Sequence, residues 1–249
     1  MTAVAITGRP APSAERRTSG RGDEPAIRLT NVIKVYRETD VETIALRGID
    51  LEIPHGQFVA VMGRSGSGKS TLLHVVAGSD RPTAGQVVVD GLELSRAEEA
   101  ERARLRGSRL GIVFQSQNLV PFLDLEENVL LAARLAGRPL DRAMAAAVLG
   151  RVGLGDRRHH RPDRLSGGEQ QRAALATVVA THPTVLLADE ITGELDSETA
   201  GAVLDLVTEL HAADSLTIIL ATHDPEVASR ADRIVELGDG RVIADHPAR

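Results

Sequence analysis

Cysteine and tryptophan are absent from the 249 residues, and tyrosine occurs once, at position 36. Without thiols there is no disulfide framework, no thiolate zinc site and no cysteine nucleophile. No apolar run approaches the roughly 20 residues that a helix needs to span a bilayer, and the N-terminus carries no apolar signal core. If this chain works at a membrane, a partner must hold it there. An excess of positive charge is missing too, the formal net charge being −6. Affinity for nucleic acid or anionic lipid needs a basic face that displaces counterions, so neither is an expected partner. What is present is 42% hydrophobic and 26% charged, the composition of an ordinary globular protein. The length suits one large domain or two small ones and allows a core that needs no disulfide or metal.

Residues 1–24 are rich in Pro, Ser, Gly and Arg without periodicity and read as a disordered leader. Order is expected to begin near Ala26 with an alternating strand at 27–29. Further strands are expected over 49–53 and 58–62, parted by the turn signal Pro54-His55-Gly56. A helix follows over 69–77, with Gly78 as a left-handed cap and Pro82 beyond it. Residues 87–89 and 110–114 read as short strands. From 125 to 180 the texture is helical, Ala-rich over 141–152 and 170–180, with capping-box spacing at Asp124/Glu127 and Ser166/Glu169. Strand texture returns at 185–188 and 216–221. Between them lies a helix over 197–211 whose stripe Val203, Leu206, Val207 and Leu210 has 3.6-residue spacing. Apolar runs without a polar face are those of parallel strands covered on both sides. The sum is an α/β fold with a helical block inserted in its middle.

Residues Gly63, Arg64, Ser65, Gly66, Ser67, Gly68, Lys69, Ser70 and Thr71 fit the pattern G-x-x-x-x-G-K-[ST], between an apolar strand and a helix. The glycines let the backbone curl so that successive N–H groups point at phosphate oxygens, and the helix start adds its positive dipole end. Lys69 would lie along the β- and γ-phosphates of ATP and Ser70 would give its hydroxyl to Mg²⁺. The matching acid is expected at the end of a buried strand, where Asp189 follows 185–188. Asp189 can hold the metal through carboxylate oxygen. Glu190, pointing the other way at the strand end, can address the attacking water. Without the phosphate loop, both acids would be a solvated strand terminus.

At Leu165-Ser166-Gly167-Gly168-Glu169-Gln170 the chain resembles the signature motif of ATP-binding-cassette (ABC) ATPases. Physically it is a second phosphate-reading helix start, capped by Ser166. In that family it serves the ATP bound on the partner subunit, so the resemblance implies half of a head-to-tail dimer enclosing two ATPs. Other family elements appear in order. Tyr36 matches the aromatic that stacks on adenine, Gln115 the residue that senses γ-phosphate and metal, Asp196 the acidic loop that communicates across the dimer, and His223 the histidine that contacts γ-phosphate and supports the attacking water. In isolation Tyr36 would be a half-buried strand residue and His223 a structural histidine.

The resemblance covers about residues 27–244. It implies a P-loop NTPase (RecA-like) core with an ABC-type antiparallel β subdomain, and a helical subdomain inserted at about 116–180, all within one domain at 25–249. The segments Ala45-Leu46-Arg47-Gly48-Ile49, Glu127-Asn128-Val129 and Thr222-His223-Asp224-Pro225-Glu226-Val227-Ala228 look most like the macrolide-exporter and lipoprotein-release branch. The implied function is an ATP-hydrolysing subunit at the cytoplasmic face of the membrane, driving a separate integral membrane permease, an exporter. A regulatory ATPase of the cell-division type, signalling through a membrane protein, and a soluble ABC protein of DNA repair or translation are the alternatives. One departure stands out. Ile191 occupies the position after Glu190 where the family has proline, which frees φ and implies a less rigid loop and slower hydrolysis with binding retained.

Overall fold

A computed structural model of the chain describes residues 24–38, 41–114, 118–193 and 195–248. The leader expected over 1–24 lies, but for Glu24, outside the described residues. The chain opens with β1 (Ile27–Glu38), β2 (Val41–Ile53) and β3 (Phe58–Met62), then α1 (Lys69–Val76), β4 (Ala84–Val89), β5 (Leu92–Glu93), α2 (Glu99–Ser108) and β6 (Leu110–Val113). A helical stretch follows: α3 (Leu125–Leu135), α4 (Arg142–Arg151), two single 3₁₀ turns and α5 (Gly167–Thr181). Then come β7 (Val185–Asp189), α6 (Ser197–Asp214), β8 (Thr217–Thr222), α7 (Pro225–Ala228), β9 (Arg233–Gly238) and β10 (Arg241–Pro247).

The strands form two sheets. A four-stranded sheet has the order β2-β1-β4-β5 and its pairs are antiparallel. A six-stranded sheet has the order β10-β9-β3-β8-β7-β6, parallel except for β10 at one edge. β1 and β2 run well beyond the short stretches that alternation marked. Register shifts lie between Leu29 and Ile33, beside Asn31 with φ 46°. Such a bulge moves side chains out of the period-two pattern and hides the continuity of the strand. α2 has no counterpart in the apolar periodicity either. It is charged almost all round and is held instead by polar bonds. Glu98 and Glu101 form a capping box, and Arg102 and Arg106 both donate to Gly78 O just past the end of α1.

The parallel strands bury alternate residues against different partners, as the pleat requires. Phe58, Ala60, Leu186, Ala188, Ile218 and Leu220 join the helices α3 to α6 in one apolar cluster. Val59, Val61, Leu187, Ile219 and Ala221 join α1 and the antiparallel sheet in the other. The stripe on α6 faces the first cluster, Val203, Leu206, Val207 and Leu210 all being buried. Both expected capping boxes close: Asp124 with Glu127 at α3, and Ser166 with Glu169 at α5.

Two glycines separate packing from propensity. A Cβ on Gly111 in β6 would lie 2.3 Å from Val178 Cγ1 and 3.2 Å from Pro183 Cγ. Gly111→Ala is therefore expected to destabilise the protein by about 1–3 kcal/mol, the cost of overpacking. Gly150 is an exposed position of α4 with nothing within 4 Å of such a Cβ, and Gly150→Ala should add roughly 0.5–1 kcal/mol of helix propensity. Urea denaturation of the two variants checks both signs.

Candidate functional site

Three neighbouring parallel strands deliver the residues of the site. β3 pairs with β8, Met62 opposite Thr222, and β8 pairs with β7, Ala221 opposite Asp189. Their carboxyl ends finish side by side, and in an open α/β sheet that edge is where ligands bind. The chain leaves β3 at Gly63, β7 at Glu190 and β8 at His223, which brings distant residues together.

After β3 the backbone curls through Gly66 and Gly68, whose φ angles are 79° and 106°. A Cβ on Gly68 would lie 2.7 Å from Ala45 O, so only glycine fits this turn. Lys69 is 5% exposed, and its ammonium donates to Gly63 O at 2.8 Å and Arg64 O at 3.3 Å. No side chain caps α1 and no acid stands in its first turn, which leaves N–H groups and positive dipole free for an anion. Ser67 Oγ is buried without a hydrogen-bond partner among the described residues. Ser65, Arg64, Gly66 and Ser70 are exposed on the loop and helix start, and Thr71 is half-buried.

The turn between β9 and β10 backs this loop. Gly240 N–H donates to Ser67 O at 3.1 Å, and Gly240 O accepts from Arg47 N–H at 2.8 Å. The motif reading missed Gly240. Its only local signal is the turn-forming Gly238-Asp239-Gly240 after an apolar stretch.

Across from Lys69 stands the carboxylate of Glu190, with Oε1 3.6 Å from Lys69 Nζ and 3.3 Å from His223 Nδ1. Asp189 Oδ1 is buried and has no hydrogen-bond partner among the described residues, an oxygen suited to a hard cation. Glu190 adopts φ 46°, a left-handed conformation uncommon outside glycine. Its backbone is held on both sides: N–H donates to Ala221 O, and O accepts from Gly193 N–H, each at 3.0 Å. Ile191 is 1% exposed and belongs to the helix-side core. Ile191 is thus packed beneath the loop that the missing proline was expected to loosen. Gln115 lies outside the described residues. The strand leading to it pairs Val113 with Ala188 beside Asp189.

A second group surrounds the start of α5. Ser166 Oγ accepts from Glu169 N–H at 3.3 Å, and Glu169 Oε2 accepts from Ser166 N–H at 2.9 Å. The Ser166 N–H holds the Glu169 carboxyl below its ordinary range, with Arg157 and Arg172 adding to the effect. A Cβ on Gly168 would lie 2.0 Å from Thr199 Cγ2, and one on Gly167 3.2 Å from Leu195 Cδ2. The starts of α5 and α6 are therefore in close contact. Asp196 caps α6, accepting from Thr199 Oγ1 at 2.7 Å and Thr199 N–H at 3.0 Å. Those Thr199 bonds lower the Asp196 carboxyl as well. Leu195 and Thr199 were not anticipated, because their role is to pack against a glycine distant in sequence.

Tyr36 stands on β1, 36% exposed. Its hydroxyl donates to Asp80 Oδ2 at 2.8 Å, and Thr71 of α1 reaches the same phenol. The structure thus gathers Tyr36 with the phosphate-loop helix, and Lys69 with Glu190 and His223. Ser166 to Glu169 and Asp196 form a separate group.

A glycine-curled loop between a parallel strand and an uncapped helix, with a buried lysine at its end, defines a P-loop nucleotide-binding domain. A family model described as ABC transporter matches residues 46–193. The chain belongs to that family, in its ATP-binding domain. Among curated relatives, it is 45% identical over 223 residues to the macrolide export ATP-binding/permease protein MacB of Hyphomonas neptunium, covering 89% of this chain and 34% of that one. It is 44% identical over 228 residues to the lipoprotein-releasing system ATP-binding protein LolD of Anaeromyxobacter dehalogenans, covering 90% and 95%. The chain spans about a third of the length of the MacB relatives it matches. Among solved structures, the ATP-binding cassette MJ0796, dimeric in a post-hydrolysis state bound to ADP and Pi, superposes with a TM-score of 0.83 at 37% identity, covering 90% of this chain and 99% of that one.

The packing of Ile191 generates a test. Ile191→Ala opens a cavity beneath the Glu190 loop and is expected to destabilise the fold by about 2–4 kcal/mol. Since Ile191 faces the core rather than the loop of 63–71, nucleotide affinity should be unchanged. Urea denaturation and equilibrium ATP binding, measured on the same preparation, check the two halves of the statement.

Proposed function

We propose that this chain is the ATP-binding and ATP-hydrolysing subunit of a transporter, two copies closing on two ATPs and driving a separate membrane permease that exports cargo. The observation that carries the reading is Glu190, within 3.6 Å of the phosphate-loop lysine and 3.3 Å of His223 at the common edge of three strands. A carboxylate so placed can orient and deprotonate water in line with a terminal phosphate lying along Lys69. Lys69 and His223 stabilise the charge that spreads over the transferring group.

The oxygens of Ser70, Gln115 and Asp189 would hold Mg²⁺, which would supply positive charge against the phosphates. The unpartnered, buried Asp189 Oδ1 supports that donor set. Tyr36 offers the ring on which adenine stacks. Ser166, Gly167 and Gly168 read the terminal phosphate of the ATP held by the other copy, with Asp196 beside them relaying closure. The dimeric form of MJ0796 bound to ADP and Pi supports this arrangement.

Among the described residues no helix is long and apolar enough to cross a membrane. In this reading the permease keeps the subunit at the cytoplasmic face, and selection of cargo falls to the permease. Glu190→Gln keeps the shape of the side chain but removes its basicity. It is expected to retain ATP binding, to accumulate as a closed dimer in size-exclusion chromatography with Mg-ATP, and to lose about 10²–10⁴-fold in turnover. Undiminished turnover in that variant would exclude Glu190 as the base that activates water.

A further inference from the structure

The segment that follows α1 is strapped to β1 by a set of bonds that no part of the phosphate chemistry requires. Lys34, itself buried, donates its ammonium to Asp80 Oδ1 at 2.5 Å and to Arg81 O at 2.9 Å. The other carboxylate oxygen of Asp80 accepts the Tyr36 hydroxyl at 2.8 Å. Thr83 closes the strap, its Oγ1 accepting from Val35 N–H at 2.9 Å and its N–H donating to Ile33 O at 2.8 Å. Asp80 is anchored in turn to the phosphate-loop helix, since its N–H donates to His74 O at 3.2 Å. Lys34 Nζ also sits 4.8 Å from the centroid of the Tyr36 ring, over one of its faces.

We propose that Asp80, clamped by Lys34, is a positioning residue that fixes the Tyr36 ring to the end of the phosphate-loop helix, so that one face, kept free of the lysine, meets the nucleotide base at a set distance from the phosphate loop. This inference rests on the reading of Tyr36 as the adenine platform. A tyrosine near the end of a strand has two side-chain torsions, and a stacked base gains only if the ring waits in the right plane. The phenol–carboxylate bond removes that freedom, and the ammonium against one face restricts stacking to the other. Because both oxygens of Asp80 are engaged, loss of that carboxylate releases the lysine and the phenol together. Burial raises the Tyr36 phenol above its ordinary range and Asp80 adds to the rise. Burial pushes the Asp80 carboxyl up, but the bonds from Lys34 and Tyr36 outweigh it and hold the carboxyl low.

The absence of tryptophan makes Tyr36 the dominant intrinsic fluorophore of the chain, so the test is direct. In the unaltered full-length chain, Mg-ATP should change the tyrosine emission while inorganic tripolyphosphate, which has no base, should not. If ATP leaves the emission unchanged, the platform reading itself fails, whatever Asp80 does. Once that response is in hand, Asp80→Asn replaces one accepting oxygen with a donor. It should weaken ATP binding about tenfold, the equivalent of one hydrogen bond, while leaving tripolyphosphate affinity as it was. The loss should fall on KM rather than kcat, and the phenol titration followed by ultraviolet absorbance should move to lower pH. Lys34→Met leaves the backbone strap through Thr83 intact and should show the same split in milder form. It stands in should Asp80→Asn fail to fold. Equal weakening of ATP and tripolyphosphate, or unchanged ATP affinity, in a folded variant would overturn the proposal.

Discussion

The parallel pairing of β8 with both β3 and β7 sets the distances on which the site depends. Neighbouring strands lie about 4.8 Å apart, so β3 and β7 are separated by roughly 10 Å. A long side chain and a tight loop must bridge that gap. Lys69 does so from the first position of α1, brought back over the sheet edge by the curl of residues 63–68, and ends 3.6 Å from Glu190. His223, at the end of the strand between them, fills the middle and lies 3.3 Å from the same carboxylate oxygen. A slip of one residue in either pairing would turn every side chain of that strand to the opposite face. The two apolar clusters on the two faces make such a slip costly, because Val59 and Val61 belong to one and Phe58 and Ala60 to the other.

The phosphate loop does not hold its own shape. Its left-handed glycines have conformations that cost more to order than those of other residues, and the restraint comes from outside. Ala45 O and the Gly240 turn close on Gly68 and Ser67 from behind. The backbones of the antiparallel sheet and the β9–β10 hairpin thus help to shape the phosphate loop. Glu190 is restrained likewise. Its left-handed φ is kept by two backbone hydrogen bonds and by Ile191 packed beneath it.

Which of these features can be read in the letters follows from their range along the chain. The loop of 63–71, the capping boxes at Ser166 and Asp124, and the stripe on α6 are local patterns, complete within one turn or one helix. They stand in the structure where spacing placed them. The length of β1 and β2 was hidden because the bulge near Asn31 breaks the alternation. α2 was hidden because its helix is stitched by Glu99, Arg102 and Arg106 and not by an apolar stripe. Asp80, Gly240 and Thr199 were invisible for another reason. Each acts on a partner remote in sequence, and nothing near them in the chain announces it. Tyr36 and Asp80, for example, are 44 positions apart. The family resemblance pointed to Tyr36 and Asp196 but not to the residues that hold them in place.

The two helix starts in the proposed function solve the same electrostatic problem differently. An anion at a helix N-terminus is favoured by the dipole but repelled by any acid in the first turn. α1 has no acid there, so no first-turn carboxylate opposes its N–H groups. α5 carries Glu169 in its first turn, which by itself would weaken a phosphate contact. That charge is turned back on the protein. One oxygen accepts the Ser166 N–H and the other lies 3.7 Å from Arg157 Nε. The Ser166 N–H and, less strongly, Arg157 hold the Glu169 carboxyl below its ordinary range, and its charge is matched by a neighbouring guanidinium. The residue that closes the Ser166 cap thus also has its own charge balanced, one oxygen by the cap N–H and the other by Arg157.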